Sequence, residues 1–178
     1  DLVVYECDGL SAYRQAPLAV ALPTSAQQVC DILRTCGDLD IPIVPWGAGT
    51  GLSGGALPLA DGIVLSLARM NRILHVDIDD RAVTVEPGVT NISVTHAVAG
   101  HGFYYAPDPS SQIACTIGGN IAENSGGVHC LKYGLTVHNV LKVRGYTVAG
   151  EPIEFGSEAL DVPGYDLLSV FIGSEGML

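Results

Sequence analysis

Basic residues are scarce in this sequence: eight Lys and Arg stand against nineteen Asp and Glu, a formal net charge of −11 over 178 residues. They form no cluster, which sets the chain apart from proteins that hold nucleic acid through patches of Lys and Arg. Charge of either sign is thin, at 15% of residues against about 25% in typical domains. So lightly charged a surface is expected to be covered in part by a ligand or another domain. No run of about 18 apolar residues occurs, so no segment is expected to cross a membrane as a helix. The five cysteines, Cys7, Cys30, Cys36, Cys115 and Cys130, include no C-x-x-C pair and read as thiols of a reducing, cytoplasmic compartment. The histidines show neither H-x-x-x-H nor H-x-H spacing, so no metal site is expected. A Walker phosphate loop is excluded, because Gly-Lys-Ser/Thr is missing throughout.

Glycine is plentiful, and its placement organises the chain. Five of the eleven residues from 45 to 55 are glycine, a large entropic cost unless the backbone must take positive φ or admit another group closely. No Lys or Arg lies between Pro45 and Pro58. An anion held here would be met by main-chain N–H groups, helped by the hydroxyls of Thr50 and Ser53. A pyrophosphate suits that description. The dinucleotide fingerprint of a strand followed at once by a helix does not apply, because Gly55 and Pro58 interrupt any helix there.

The periodicity predicts an α+β order. Residues 1–17 form an arm across the body, with Glu6, Asp8 and Tyr13 as solvated or capping groups. Residues 19–22 read as a buried strand, and Thr24 with Gln27 as a capping box. The helix that follows presents Val29, Ile32, Leu33 and Cys36, and Gly37 closes it. A strand over 41–44 leads into the glycine loop, giving a parallel βαβ unit. A strand over 62–67 comes next. Alternation predicts a hairpin of 73–78, with Leu74, Val76 and Ile78 inward, and 81–86, with Val83 and Val85 inward. Thr90 caps a second helix whose stripe is Val94, Ala97, Val98 and His101. Residues 105–127 read as a long, rigid binding loop with little regular structure, in which Gly118 and Gly119 permit close approach and Ala122 keeps a short helical turn thin. A strand over 137–148, a partner over 151–155 and a short helix over 166–171 complete the chain, which is expected to be a piece of a longer protein.

Five stretches in this order carry a resemblance: residues 5–10, the loop 47–56, Pro107, Asp108, Pro109, Ser110 and Ser111, the run 130–139, and 173–178. The chain resembles the two-lobed flavin-binding domain of the vanillyl-alcohol oxidase type. Within that type it looks like the FAD-linked subunits of bacterial 2-hydroxy-acid oxidoreductases, glycolate oxidase above all. The resemblance implies a small βαβ lobe over 17–67 and a larger, mainly antiparallel lobe over 68–178, with FAD between them. It assigns the pyrophosphate to Trp46, Gly47, Ala48, Gly49, Thr50, Gly51, Leu52 and Ser53. It assigns the flavin ring and ribityl chain to Pro107, Asp108, Thr116, Ile117, Gly118, Gly119, Asn120 and Ala122, and counts Ser111 and Gly126 among the cofactor-binding residues. Glu175 and Gly176 fall on the adenine side. Thr50 stands where covalently flavinylated relatives carry histidine, which implies non-covalent FAD. The departures at Arg144, Gly145 and Tyr146 and at Val148, Ala149 and Gly150 put the local hairpin in doubt.

By the same resemblance, the intact enzyme oxidises glycolate or another small 2-hydroxy acid, such as D-lactate or 2-hydroxyglutarate. Catalytic and metal-binding residues lie in a C-terminal substrate domain beyond this chain. A second flavin-type subunit and an iron–sulfur subunit are implied as partners, at the inner face of the cell membrane. A catalytically silent assembly subunit is the alternative from another class. Trp46 either stacks on flavin or fills the small lobe's core. Asp108, between two prolines, is either a fixed polar contact or a turn residue. His129 and His138 flank Lys132, which would place a positive charge near the flavin edge or simply be a surface lysine.

Overall fold

A computed structural model describes residues 2–159 and 164–177. Asp1 and Leu178, the outer ends of the expected arm and of the last matching stretch, lie outside the described residues. The βαβ unit is present. Strands β1 (Ala19–Ala21), β2 (Ile43–Trp46) and β3 (Ile63–Ser66) form a parallel sheet in the order β1-β3-β2, with Val20 and Val44 both aligned with Val64. Central Val64 is fully buried. β1 is an edge strand, and its neighbours Leu18 and Leu22 are exposed, which corrects the buried strand expected there.

Helix α1 (Ala26–Asp38) starts one residue later than its expected cap. Ser25 is the N-cap and accepts from the Gln28 backbone N–H, while Gln28 Oε1 accepts from the Thr24 N–H at 2.7 Å. The helix buries Cys30, Leu33 and Cys36. It runs past Gly37, and Asp40 beyond it takes the left-handed turn at φ 53°.

The hairpin of β4 (Ile73–Asp77) and β5 (Ala82–Val85) pairs Ile73 with Val85 and Val76 with Val83, but a register shift intervenes between Ile73 and His75. That bulge breaks the alternation. Ile73 thus faces the core while Leu74, expected inward, is 54% exposed. Helix α2 (Asn91–Val98) follows Thr90 and buries Asn91 and Val94; Ala97 and His101 are exposed, so the expected stripe is only half right. The stretch read as an irregular loop contains helix α3 (Ile117–Glu123), started by Thr116, whose hydroxyl accepts from the Gly119 N–H. Ile117 joins Val89 and Val94 in the buried cluster against which Ile73, Val83, Val85, Tyr105 and Ile121 pack. Ile113, by contrast, is 81% exposed.

Residues 137–148 are not one strand. A 3-10 turn (Thr136–Asn139) precedes β6 (Lys142–Tyr146), and β7 (Pro152–Gly156) pairs with it antiparallel through Gly145 opposite Ile153. The doubted hairpin is regular, because Gly145 leaves an ordinary ladder pair and Gly150, at φ 72°, makes the turn. Helices α4 (Cys130–Tyr133) and α5 (Leu167–Phe171) complete the elements, the latter capped by Asp166. The antiparallel part is thus two separate ribbons tied by helices, with no single antiparallel sheet.

One ion pair closes the β4–β5 ribbon. The buried carboxylate of Glu86 accepts from the Arg72 main-chain N–H at 2.8 Å and from its guanidinium Nη2 at 2.7 Å. The Arg72 guanidinium holds the Glu86 carboxyl below the usual carboxylate range. A depressed carboxyl contributes stability above its unfolded value and loses it as pH falls through the folded one. Glu86→Gln should therefore lower the thermal midpoint at pH 7 by about 3 °C. The gap to the parent should close as pH drops toward 3, as followed by circular dichroism.

Candidate functional site

Strand β2 ends in Trp46, which is 6% exposed and meets Tyr5 of the arm edge-on at 5.4 Å. The sequence left Trp46 open between two roles; its burial puts it under the glycine loop as a filler, with one edge on the cleft. The loop then folds back over the indole. Gly49 has φ 65°, and a methyl group on it would stand 2.5 Å from Trp46 Cζ2. Gly47 lies where the loop touches the start of α3: a methyl there would be 2.7 Å from Thr116 Oγ1 and 3.8 Å from Gly119 Cα. Gly118 packs as closely on Pro87. From the other side the arm closes in, with Gly9 against the Gly51 carbonyl. The glycines are therefore spent on close backbone approach.

Between these segments opens a cleft of about 500 Å³, within the range of small-molecule sites. Trp46, Gly47, Ala48, Gly49, Thr50, Gly51 and Leu52 line it from the first loop, and Ser111, Thr116, Gly118, Gly119, Asn120 and Ala122 from the second. Glu175 and Gly176 close one end. The two glycine-rich stretches, far apart in sequence, thus form one wall each of a single cavity.

Five expected residues stand off it. Ser53 is carried to the exposed outer side of the loop. Pro107 is buried, its carbonyl accepting from Asn91 Nδ2 at 2.8 Å. Ile117 belongs to the core cluster. Gly126 faces the side chains of Leu135 and Cys130. Asp108 is a fixed polar contact: its Oδ2 lies 2.6 Å from His129 Nδ1. Its carboxyl sits below the usual range, burial being outweighed by the hydrogen bonds and charge of His129. Beside that pair, Lys132 lies over the Tyr133 ring and Tyr133 meets Tyr104 edge-on at 6.0 Å.

The chemistry of the cleft is unusual in what donates and what does not. Among the described residues, none of the ten backbone N–H groups from Gly47 to Ala56 donates a hydrogen bond within the protein. Asn120 is 1% exposed, yet its side-chain amide is engaged by no protein group other than the Cys115 thiol. Burial pushes that thiol up, so Cys115 lines the cleft as a neutral group. Among the described residues no Lys, Arg or His lines the cavity, while Asp8, Glu123 and Glu175 do.

A buried amide whose hydrogen-bonding capacity the protein leaves largely unused, as at Asn120, marks a place where a ligand supplies partners. A pyrophosphate with an attached ring system fits this donor set, the loop meeting the phosphates and Asn120 a polar edge.

Residue-by-residue reading missed Asp8 and Glu123. Asp8 does cap the Leu10 N–H at 2.8 Å, but it is buried at the cleft and not solvated. Its position within the matching stretch 5–10 was the available signal. Glu123 lies four residues after Gly119, on one face of α3, where only a short helical turn around Ala122 was expected.

Comparison with known proteins agrees with this geometry. The family model described as FAD binding domain matches residues 17–156. The glycolate oxidase subunit GlcD of Escherichia coli (strain K12) is 60% identical over 178 residues, which is all of this chain and 36% of that protein. The subunit of the same name from Bacillus subtilis (strain 168) is 44% identical, covering 99% of this chain and 38% of that one. A D-2-hydroxyglutarate dehydrogenase of Xanthomonas citri pv. viticola is 37% identical over the whole chain and spans 38% of its own length. The chain therefore spans little more than a third of the relatives it matches. Among solved structures, an alkyldihydroxyacetonephosphate synthase superposes with a TM-score of 0.76 at 24% identity, covering 88% of this chain and 28% of that one, a likeness of fold. A pair of glycine-rich walls with free main-chain donors, in a fold shared with such proteins and under a family match over most of its length, leaves one conclusion: this chain belongs to the FAD binding domain family.

Proposed function

We propose that this chain is the cofactor-holding part of a flavin-dependent oxidoreductase that oxidises a short 2-hydroxy acid, with glycolate the substrate favoured by the 60% identity to a glycolate oxidase subunit. The observation that carries the reading is the glycine loop, whose main-chain N–H groups from Gly47 to Leu52 and at Gly55 and Ala56 are unpaired among the described residues and line the same cleft as Asn120. Bound FAD would supply the electron-accepting chemistry at the hydroxyl-bearing carbon. The protein's own part is to bind and to orient: the first loop would hold the pyrophosphate, Asn120 and Thr116 the adjoining polar edge, and Glu175 and Gly176 the adenine end. Residues 17–67 would serve as one lobe and 68–178 as the other. Thr50 in place of a tethering histidine supports non-covalent attachment.

In this reading the substrate-contacting and metal-binding residues belong to a C-terminal substrate domain. A second flavin-type subunit and an iron–sulfur subunit would receive the electrons at the cytoplasmic face of the membrane. No helix of the described residues is long and apolar enough to cross a membrane.

The test is retention of flavin. Protein mixed with FAD and desalted should stay yellow and release its colour on acid treatment. Asn120→Leu should weaken FAD binding roughly 10- to 30-fold, the loss of one or two hydrogen bonds from a buried amide. A colourless parent, or an Asn120→Leu variant with unchanged affinity, would count against the assignment.

A further inference from the structure

We infer that this cleft takes up its dinucleotide together with a proton, held at Glu123, so that affinity for FAD falls as the solution becomes more alkaline. The inference rests on the FAD reading above.

Three carboxylates reach the glycine loop from three elements: Asp8 from the arm, Glu123 from the last residue of α3, and Glu175 from the turn after α5, where its own φ is 54°. Glu123 Oε1 lies 3.3 Å, and Asp8 Oδ2 3.8 Å, from where a methyl group on Gly51 would stand. Glu175 Oε2 is 3.3 Å from the same point on Gly55. None of the three takes part in an ion pair among the described residues. Among the described residues no Lys, Arg or His lines the cavity to balance them, and its remaining titratable group, the Cys115 thiol, is neutral. Independently of this cluster, the buried amide of Asn120, engaged by no protein group other than that thiol, opens on the same cavity and marks it as a ligand site.

A pyrophosphate seated on the loop brings two negative charges to within a few ångströms of these carboxylates, inside the distance at which salt screens. Free N–H groups attract the phosphates but do not remove that repulsion. One proton does, and Glu123 is the place where it removes most. Its carboxyl faces Glu175 on one side and Asp8 on the other, and partial burial with those two neighbours already holds it above the usual carboxylate range. Asp8 already has a partner in the protein, the Leu10 N–H at 2.8 Å. Once protonated, Glu123 becomes a hydrogen-bond donor beside the phosphates.

The sign is fixed by the chemistry. A carboxyl whose proton affinity rises on ligand binding takes up a proton between its free and bound pKa values, so affinity is highest below the free value and declines above it. The pyrophosphate diester of FAD does not itself titrate there.

The experiment is FAD titration, by flavin fluorescence, into flavin-stripped full-length protein from pH 5.5 to 8.5 at constant ionic strength with EDTA present. Proton uptake is counted in parallel in weakly buffered solution. The parent should lose roughly tenfold in affinity across this range and take up a fraction of a proton near neutrality. Glu123→Gln, which keeps the neutral form at every pH, should bind tightly with a flat profile and no uptake. Glu175→Gln should keep the slope, displaced to lower pH. Tight but pH-independent binding by the parent, or an unchanged slope in Glu123→Gln, overturns the inference and leaves the FAD reading intact. So does binding that EDTA abolishes and magnesium restores, because the counter-charge is then a metal ion. Absence of FAD binding by the parent at every pH overturns both. Should Glu123→Gln fail to fold, the proton count in the parent alone decides.

Discussion

Gly49→Val is expected to weaken FAD binding at least a hundredfold, about 2.7 kcal/mol, while leaving the rest of the fold in place. Two costs coincide at this residue. Its φ of 65° is one that a β-branched side chain adopts only under strain, and its first side-chain carbon would stand 2.5 Å from the edge of the Trp46 ring. The loop can relieve both only by lifting off the indole, which moves the unpaired N–H groups from where they converge. The strands and helices have little stake in that movement, since no main-chain N–H of residues 47–56 bonds to them. The readout is specific because Trp46 is the sole tryptophan of the sequence. Its emission should shift to longer wavelength in the variant, with far-ultraviolet circular dichroism unchanged. A variant that binds FAD like the parent would remove the first loop from the cofactor site.

Gly88→Val should do the opposite, destabilising the whole molecule by more than about 3 kcal/mol and lowering the thermal midpoint by roughly 10 °C. Here φ is unremarkable and the obstacle is space. A methyl group on Gly88 would stand 2.3 Å from the Leu67 carbonyl oxygen and 2.7 Å from that of Met70. Both are main-chain atoms, and Gly88 N–H is hydrogen bonded to the latter at 2.8 Å. This is the seam where the segment leaving the parallel sheet meets the segment entering α2. Moving it also disturbs Val89, whose carbonyl accepts the Ile117 N–H at the start of α3. Thermal unfolding by circular dichroism reads the effect directly. A drop of only one or two degrees would mean that residues 67–70 yield easily, and that the seam is not what joins the sheet to the helices.

The elements were legible in the sequence where one physical signal dominated. The βαβ unit followed from a strand, an amphipathic helix and a strand in succession, and the first glycine loop from glycine density without basic residues. Legibility failed where two local signals competed or a tertiary contact decided. Thr24 and Ser25 are both good caps, and Gln27 and Gln28 both good third-position partners, so the helix start was ambiguous by one residue. The bulge after Ile73 reversed the face of Leu74, an event that strict alternation cannot express. The full extent of helix α3, beyond a short turn at Ala122, was masked by Gly118 and Gly119, poor helix formers that are tolerated because Thr116 caps the turn and Ile117 and Ile121 anchor it in the core. The cleft's polar donors followed from the glycines. Its acidic members did not, because Asp8 lies in an arm without periodicity and Glu123 at the end of a helix longer than the turn expected there.

The contact between Gly47 and Thr116 sets a limit on motion. The two walls of the cleft already touch there, with no gap into which a methyl group would fit, and packed atoms compress very little. At the floor of the cavity the two walls thus have no room left to draw closer, and any narrowing of the cleft around a ligand has to come from its rim, where the arm crosses Gly51.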